Sequence, residues 1–110
     1  MRTSASTRLA PSVRRSLTKL GRDIRAARIR RRLTARMMAE RVGVALETYR
    51  RVERGDPGTG VATYASVLFV LGFGTPLGVL ADVAHDQQGQ MLDDARLPQR
   101  VRTRREAKPL

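Results

Sequence analysis

The chain has 110 residues, which is the length of one globular domain. It carries 22 Lys and Arg residues against 10 Asp and Glu, a net charge of +12, so a polyanion is the expected partner. The absence of Cys and the single His, His85, exclude disulfides, thiolate zinc sites and nucleophilic thiols, and argue against a transition-metal site or a metal cofactor. The four aromatic residues are too few for a platform that stacks single-stranded bases, which favours duplex nucleic acid.

The basic residues are concentrated at the two ends of the chain. Residues 1–32 carry a net charge of +10, residues 33–83 are neutral, and residues 84–110 carry +2. This pattern predicts a basic, disordered arm over residues 1–15, a domain over 16–84, and a basic tail over 85–110 that is disordered or binds a partner. The Arg- and Ser-rich start also fits an organellar transit peptide, which stays an alternative.

Apolar spacing predicts two helices in the first half of the domain. The first runs from Leu17 to about Arg31, with a stripe of apolar residues on one face; these are Leu17, Leu20, Ile24 and Ala27. Thr34 is the expected N-cap of the second helix. Gly43 supplies the left-handed residue that ends it and lets the chain reverse within three or four residues.

Three more short helices are predicted after this turn. The third covers 45–54 and ends at Gly55. The fourth covers 61–71, and we expect it to be a core helix because the apolar run 61–73 is too short to span a membrane. The expected buried residues of the fourth helix are Val61, Tyr64, Ala65, Leu68 and Leu71. Thr75 and Pro76 predict the start of a fifth helix over 76–83. In the tail, one or two helical turns could form around Met91, Leu92 and Ala95. Apolar and polar residues alternate over 97–102, as in an edge strand.

Two short helices joined by a tight Gly turn predict a helix-turn-helix, in which the second helix can enter the major groove of DNA. The sequence from Leu20 to Gly72 resembles the lambda-repressor-like, Xre-type helix-turn-helix family. The matching residues include Ile24, Arg25 and Arg28 on the first helix, Leu33, Thr34, Met38 and Ala39 on the second, Gly43 and Val44 at the turn, and Thr48, Tyr49, Val52, Glu53 and Gly55 on the third. The resemblance implies an all-α, five-helix lambda-repressor-like fold.

The same resemblance implies roles for individual residues. Arg28 and Glu53 are expected to form a salt bridge that fixes the first helix to the third, the recognition helix. The expected base-reading residues are Leu46, Glu47, Thr48, Arg50 and Arg51. The expected phosphate-binding residues are Arg32, Thr34, Ala35, Arg36, Gly58 and Thr59. Ala35 and Ala45 depart from the family, since an amide side chain and a Ser cap are usual at these positions.

A narrower resemblance concerns residues 50–74, RRVERGDPGTGVATYASVLFVLGFG, and the ending LPQRVRTRR at 97–105. Both look like the HipB-type antitoxin branch of the family. This resemblance implies a cytoplasmic homodimer that binds a palindromic operator, represses its own operon and neutralises a HipA-like serine/threonine kinase toxin. It also implies a protein without catalytic residues or a cofactor of its own.

Two alternatives stay open. The chain could be a stand-alone regulator, gated by a small ligand, or an RNA-binding or organellar protein that uses its basic arm. An enzyme is disfavoured because the sequence offers no Ser/His/Asp set, no metal cluster and no phosphate-binding Gly loop in a suitable context.

Overall fold

The computed structural model describes residues 8–96 and is all-helical in its regular structure. Its helices are α1 at Pro11–Arg30, α2 at Ala35–Val42, α3 at Leu46–Glu53, α4 at Val61–Val70, and α5 over residues 87–96. Two short 3₁₀ segments, Pro76–Val79 and Val83–His85, precede α5. No β-strand occurs within residues 8–96. The predicted all-α, five-helix class is confirmed.

The chain divides into two compact units after Pro76. The first contains α1 to α4 and the whole hydrophobic core. The second unit, as far as residue 96, buries none of its residues. The boundary at residue 84 that the sequence predicts for the domain stays a prediction. Residues 1–7 of the predicted arm and the strand-like segment 97–102 lie outside the described residues.

Helix α1 begins earlier than the sequence predicted. Ala10 has an extended conformation, with φ −59° and ψ 141°, and Pro11 follows as the first helical residue. Proline suits this position because its missing N–H would have no partner in the first turn. Residues 11–15, which the sequence analysis assigned to the disordered arm, are therefore helical.

The local signals around α2 and α3 act as predicted. The Thr34 hydroxyl accepts a hydrogen bond from the Met37 amide at 3.0 Å and caps α2. Gly43 ends α2 with φ 86°, and its amide donates to the Ala39 carbonyl at 2.8 Å. Only three residues then separate α2 from α3, which is the tight turn of a helix-turn-helix.

The core of the first unit lies between α1, α2, α3 and α4. Its buried side chains are Ile24, Ala27, Met38, Ala39, Tyr49, Val52, Tyr64, Val67 and Leu71. The burial predicted for α4 is correct at Tyr64 and Leu71, whereas Ala65 and Leu68 are only half-buried. It is wrong at Val61, which is 65% exposed, and it missed Val67, which is fully buried. Tyr64, Val67 and Leu71 follow the i, i+3, i+7 spacing, whereas Val61 begins the helix at the edge of the core.

The predicted fifth helix over 76–83 is wrong. This segment forms the 3₁₀ turn Pro76–Val79, and the next regular turn starts at Val83. Gly78 lowers the helix propensity of so short a segment, and no burial within the segment compensates for it. The fifth α-helix instead lies in the tail, where the sequence had predicted at most a turn or two.

The structure of residues 8–96 includes no helix with the length and apolar character that a membrane crossing requires.

Candidate nucleic-acid interface

The recognition helix α3 is positioned by a close crossing with α1. At Gly21, in the middle of α1, a Cβ atom would lie 2.5 Å from the Glu53 carbonyl oxygen and 2.7 Å from the Gly55 amide nitrogen. Gly55 has φ 70° and itself lies against the backbone of Leu17 and Thr18. Two glycines therefore let the α1 backbone touch the end of α3, which leaves little freedom in the angle between the two helices.

An ion pair fixes the same two helices next to this crossing. Arg28 Nε donates to Glu53 Oε2 at 2.6 Å, and a second guanidinium nitrogen donates to Glu53 Oε1 at 3.2 Å. The third nitrogen donates to the Leu33 carbonyl at 2.9 Å, in the loop before α2. The side chains of Arg28 and Glu53 are only 13% and 11% exposed. The structure thus brings together the two residues that the resemblance pairs, in a two-pronged geometry that Lys cannot form.

Tyr49 completes this network from the core side. Its hydroxyl donates to Glu53 Oε2. Burial of the phenol, together with its hydrogen bond to the Glu53 carboxylate, raises the pKa of Tyr49. The hydrogen bonds that Arg28 donates to the Glu53 carboxylate raise the pKa of Arg28. Glu53 thus accepts from Arg28 and Tyr49 together, which orients α3 relative to α1.

The solvent-facing side of α3 is a charged stripe. It consists of Glu47, Arg50, Arg51 and Arg54, which lie within one helical face. Glu47 accepts a hydrogen bond from Arg54 at 2.8 Å and lies 3.8 Å from Arg51 Nε. The hydrogen bond from Arg54 lowers the pKa of Glu47. The carboxylate is therefore held against Arg51 of its own helix and against Arg54, the residue just after the helix, so that it directs its charge toward them.

The five predicted base-reading residues differ in exposure. Glu47 and Arg50 are exposed and Arg51 is half-exposed. Leu46 is half-buried against the core, and Thr48 is half-buried at the border of the stripe. Of the five, the two arginines present the donors that suit guanine, whereas Leu46 also serves the core.

The predicted phosphate contacts surround the start of α2. Arg32 and Arg36 are exposed, and Ala35 is half-buried against the core. Arg32 has φ 57°, a left-handed conformation unusual for a side chain other than Gly. The Thr34 hydroxyl is already engaged as the N-cap. The surface charge here comes from the two arginines, and Ala35 offers only its backbone.

The turn between α3 and α4 is held by internal hydrogen bonds. The Thr59 hydroxyl donates to Asp56 Oδ2 at 2.7 Å, and the Thr59 amide donates to the Asp56 carbonyl at 3.3 Å. The Tyr64 hydroxyl donates to the same carbonyl at 2.8 Å. Gly58 is exposed at the tip of the turn. Both polar groups of Thr59 thus stabilise the turn, which leaves the Gly58 amide as the better predicted phosphate donor.

Sequence reasoning missed one residue of this surface, Arg54, and one buried residue that positions it, Gly21. Arg54 extends the α3 stripe by one turn, and its signal was the i, i+7 spacing from Glu47. Gly21 was not singled out, although a Gly inside a strongly helical segment often marks a close packing contact. Its contact with the end of α3 depends on the tertiary fold and required the structure.

Comparison with known proteins gives one clear result. A family model described as a helix-turn-helix domain matches residues 19–79, more than half of the chain. Neither the curated proteins nor the solved structures gave a match. The matched range contains the α2–turn–α3 unit, the Arg28–Glu53 pair and the charged stripe, and such a domain indicates a DNA-binding regulator. The chain belongs to the helix-turn-helix domain family.

Proposed function

We propose that this protein is a sequence-specific transcriptional repressor that reads duplex DNA with α3. The observation that supports this most directly is the α3 stripe, held at a fixed angle by the Arg28–Glu53 pair. Arg50 and Arg51 would hydrogen-bond base edges in the major groove, together with Glu47, Thr48 and Leu46. Arg32, Arg36 and the backbone at Thr34, Ala35 and Gly58 would bind the adjacent phosphates, while Thr59 holds the turn that presents the Gly58 amide.

The proposed repressor is a homodimer on a palindromic operator. One eight-residue helix spans few base pairs, and a second copy about 34 Å away adds both affinity and a symmetry requirement. The second unit supports association because, over residues 77–96, it exposes large apolar side chains without burying any, and such surfaces mark interaction sites. These side chains are Leu77, Val79, Leu80, Val83, Met91 and Leu92.

Light scattering at micromolar concentration tests the dimer. The expected mass is twice the 12.2 kDa of the chain. Replacing Leu80 and Leu92 by Glu should return the protein to the monomer mass, whereas the same change at Val61 and Phe69, equally exposed residues of α4, should not. A monomer mass for the unmodified chain would contradict the proposal.

The finer role that we propose is that of an antitoxin. In this role the protein represses its own operon in the cytoplasm and binds a HipA-like serine/threonine kinase, which acts as corepressor. The support is the resemblance of residues 50–74 and 97–105 to the HipB-type branch. A regulator that acts alone is the second candidate, and an RNA-binding protein is the third.

One affinity purification separates these candidates. The tagged protein is recovered from its own cells, and partners are identified by mass spectrometry with and without nuclease treatment. A kinase that remains bound after nuclease supports the antitoxin. Recovery without a kinase, together with protection of DNA upstream of its own gene, supports the stand-alone regulator. Recovery of RNA in preference to duplex DNA would contradict the repressor.

A further inference from the structure

Helix α1 extends beyond the segment that the family model matches. The match starts at residue 19, whereas α1 starts at Pro11, so about two helical turns precede it. Over its full length α1 carries seven basic residues and one acidic residue, Asp23. That acid is paired with Lys19 at 2.6 Å, and the helix as a whole carries a net charge of +6, seven basic residues less one acid.

The basic surface of α1 adjoins the end of the recognition helix. Arg14 and Thr18 line a polar groove of about 250 Å³ together with Arg54, Gly55, Asp56 and Pro57. Arg54 is the last residue of the α3 stripe. The groove therefore joins the upstream turns of α1 to the surface that faces the major groove in the proposed complex.

Arg25 extends this surface along α1. Its Nε lies 4.0 Å from Glu53 Oε1, yet its side chain is 64% exposed. Glu53 already accepts hydrogen bonds from Arg28 and Tyr49, so Arg25 is not required to neutralise it. Arg22 lies three residues before Arg25, next to it on the helix surface, and is also exposed.

We infer that Arg14, Arg22 and Arg25, with Arg54, form a second DNA-backbone surface that binds phosphates flanking the half-site read by α3. This inference rests on the proposed function and extends it to a new contact. Arg14 and Arg25 are 11 residues apart, which at 1.5 Å per residue is about 17 Å. This length corresponds to about five base pairs at 3.4 Å each. Duplex DNA is the favoured occupant because the surface is continuous with the recognition stripe.

The test compares two charge-matched variants by fluorescence anisotropy. One is Arg22→Gln with Arg25→Gln, and the control is Arg41→Gln with Arg96→Gln, which removes two exposed arginines outside this surface. The probes are duplexes selected by the unmodified protein from a random library, with or without about five flanking base pairs on each side. Circular dichroism and thermal unfolding verify that each variant is folded.

The α1 variant should lose about 1.8 from the slope of log K against log salt, since each phosphate contact contributes about 0.9. It should also lose the gain in affinity that the added flanks give the unmodified protein, while still preferring the selected sequence over a random one. The control should keep both the slope and the flank effect. Equal slopes and equal flank effects in the two variants would overturn this inference alone. A failure of the unmodified protein to bind duplex DNA would overturn the proposed function as well, and tighter binding of RNA to the α1 surface would overturn the choice of DNA.

Discussion

At the scale of single residues, Arg32 combines backbone strain with a predicted phosphate contact. It occupies the position after α1 that usually holds Gly, with φ 57°. The Leu33 amide donates back to the Arg28 carbonyl at 3.2 Å, as in a helix end with a left-handed residue. A strained conformation that persists at a candidate site is consistent with a functional side chain there.

Replacing Arg32 by Gly should therefore separate stability from DNA binding. Relief of the left-handed conformation is worth about 1 to 2 kcal/mol, and the greater freedom of Gly in the unfolded chain offsets about 0.5 to 1 kcal/mol of it. The free energy of unfolding should rise by roughly the difference, while affinity for duplex DNA should fall. Urea unfolding and anisotropy measure the two quantities. A variant that is less stable, or that binds DNA equally well, would contradict this account of Arg32.

The chain has only two tyrosines, and their pKa values predict how the stability of the fold changes at alkaline pH. Burial and the nearby Asp56 charge raise the pKa of Tyr64 from 10.0 to about 12, and burial also raises that of Tyr49. A raised pKa in the folded state stabilises the fold fully below pH 10, and this contribution is lost as the pH rises from 10 toward 12 and above.

Tyrosinate absorbance should therefore remain low at pH 10 in the folded protein and reach half of its full value only near pH 12 or higher. In denaturant, both tyrosines should titrate near pH 10. The free energy of unfolding should decrease over the same alkaline range. Half-ionised tyrosine at pH 10 in the folded protein would show that the hydroxyls are not buried as described.

The Arg28–Glu53 pair also gives a residue-scale prediction. Glu53→Gln leaves the half-buried Arg28 guanidinium without its counter-charge, and the loss of one partner of a shielded pair costs about 3 to 5 kcal/mol. Replacing both residues by Met should cost less, because no charge is then left in the site. Chemical denaturation of the single and double variants measures the difference. If the single variant were as stable as the unmodified protein, the pair would not fix α1 to α3.

At the scale of elements, the crossing of α1 and α3 is a contact between backbones. Gly21→Ala places a methyl group within 2.7 Å of the Gly55 amide, and such overpacking costs about 1 to 3 kcal/mol or forces the helices apart. Because α3 would then move relative to α1, DNA affinity should fall together with stability. Gly78→Ala is the matched control, since the added methyl meets open space there, and it should change stability by less than about 0.5 kcal/mol. Equal effects of the two substitutions would contradict the close crossing.

The sequence predicted the helix-turn-helix well because its signals are local. Thr34 and Gly43 act on their own turns, and the α3 spacing is unambiguous. The start of α1 and the missing helix at 76–83 also have local causes, a proline at the first helical position and a glycine within a short segment, but the prediction did not use them. The burial of Val67 in place of Val61 depends on how α4 packs against the other helices. The contact of Gly21 with Glu53 and Gly55 also depends on tertiary packing, since the sequence around Gly21 does not indicate which part of the chain lies against it.

At the scale of the whole molecule, the net charge of +12 separates into two roles. The α3 stripe combines three arginines with one paired glutamate, which suits recognition of bases, whereas α1 carries the larger excess and suits phosphate binding. Phosphate contacts position a protein without reading sequence, and base contacts specify. Substitutions in α3 should therefore reduce specificity, and substitutions in α1 should reduce the salt dependence of binding, each independently of the other.

The most direct test of the central claim is a binding titration of the variant with Arg50→Ala and Arg51→Ala. The unmodified protein should prefer its selected duplex over a random one by at least about a thousandfold, with an affinity that falls steeply between about 50 and 200 mM salt. The variant should lose this preference while keeping its fold and much of its salt-dependent binding. Retention of sequence preference by the variant, or a flat salt dependence of the unmodified protein, would contradict the assignment of α3 as the helix that reads DNA.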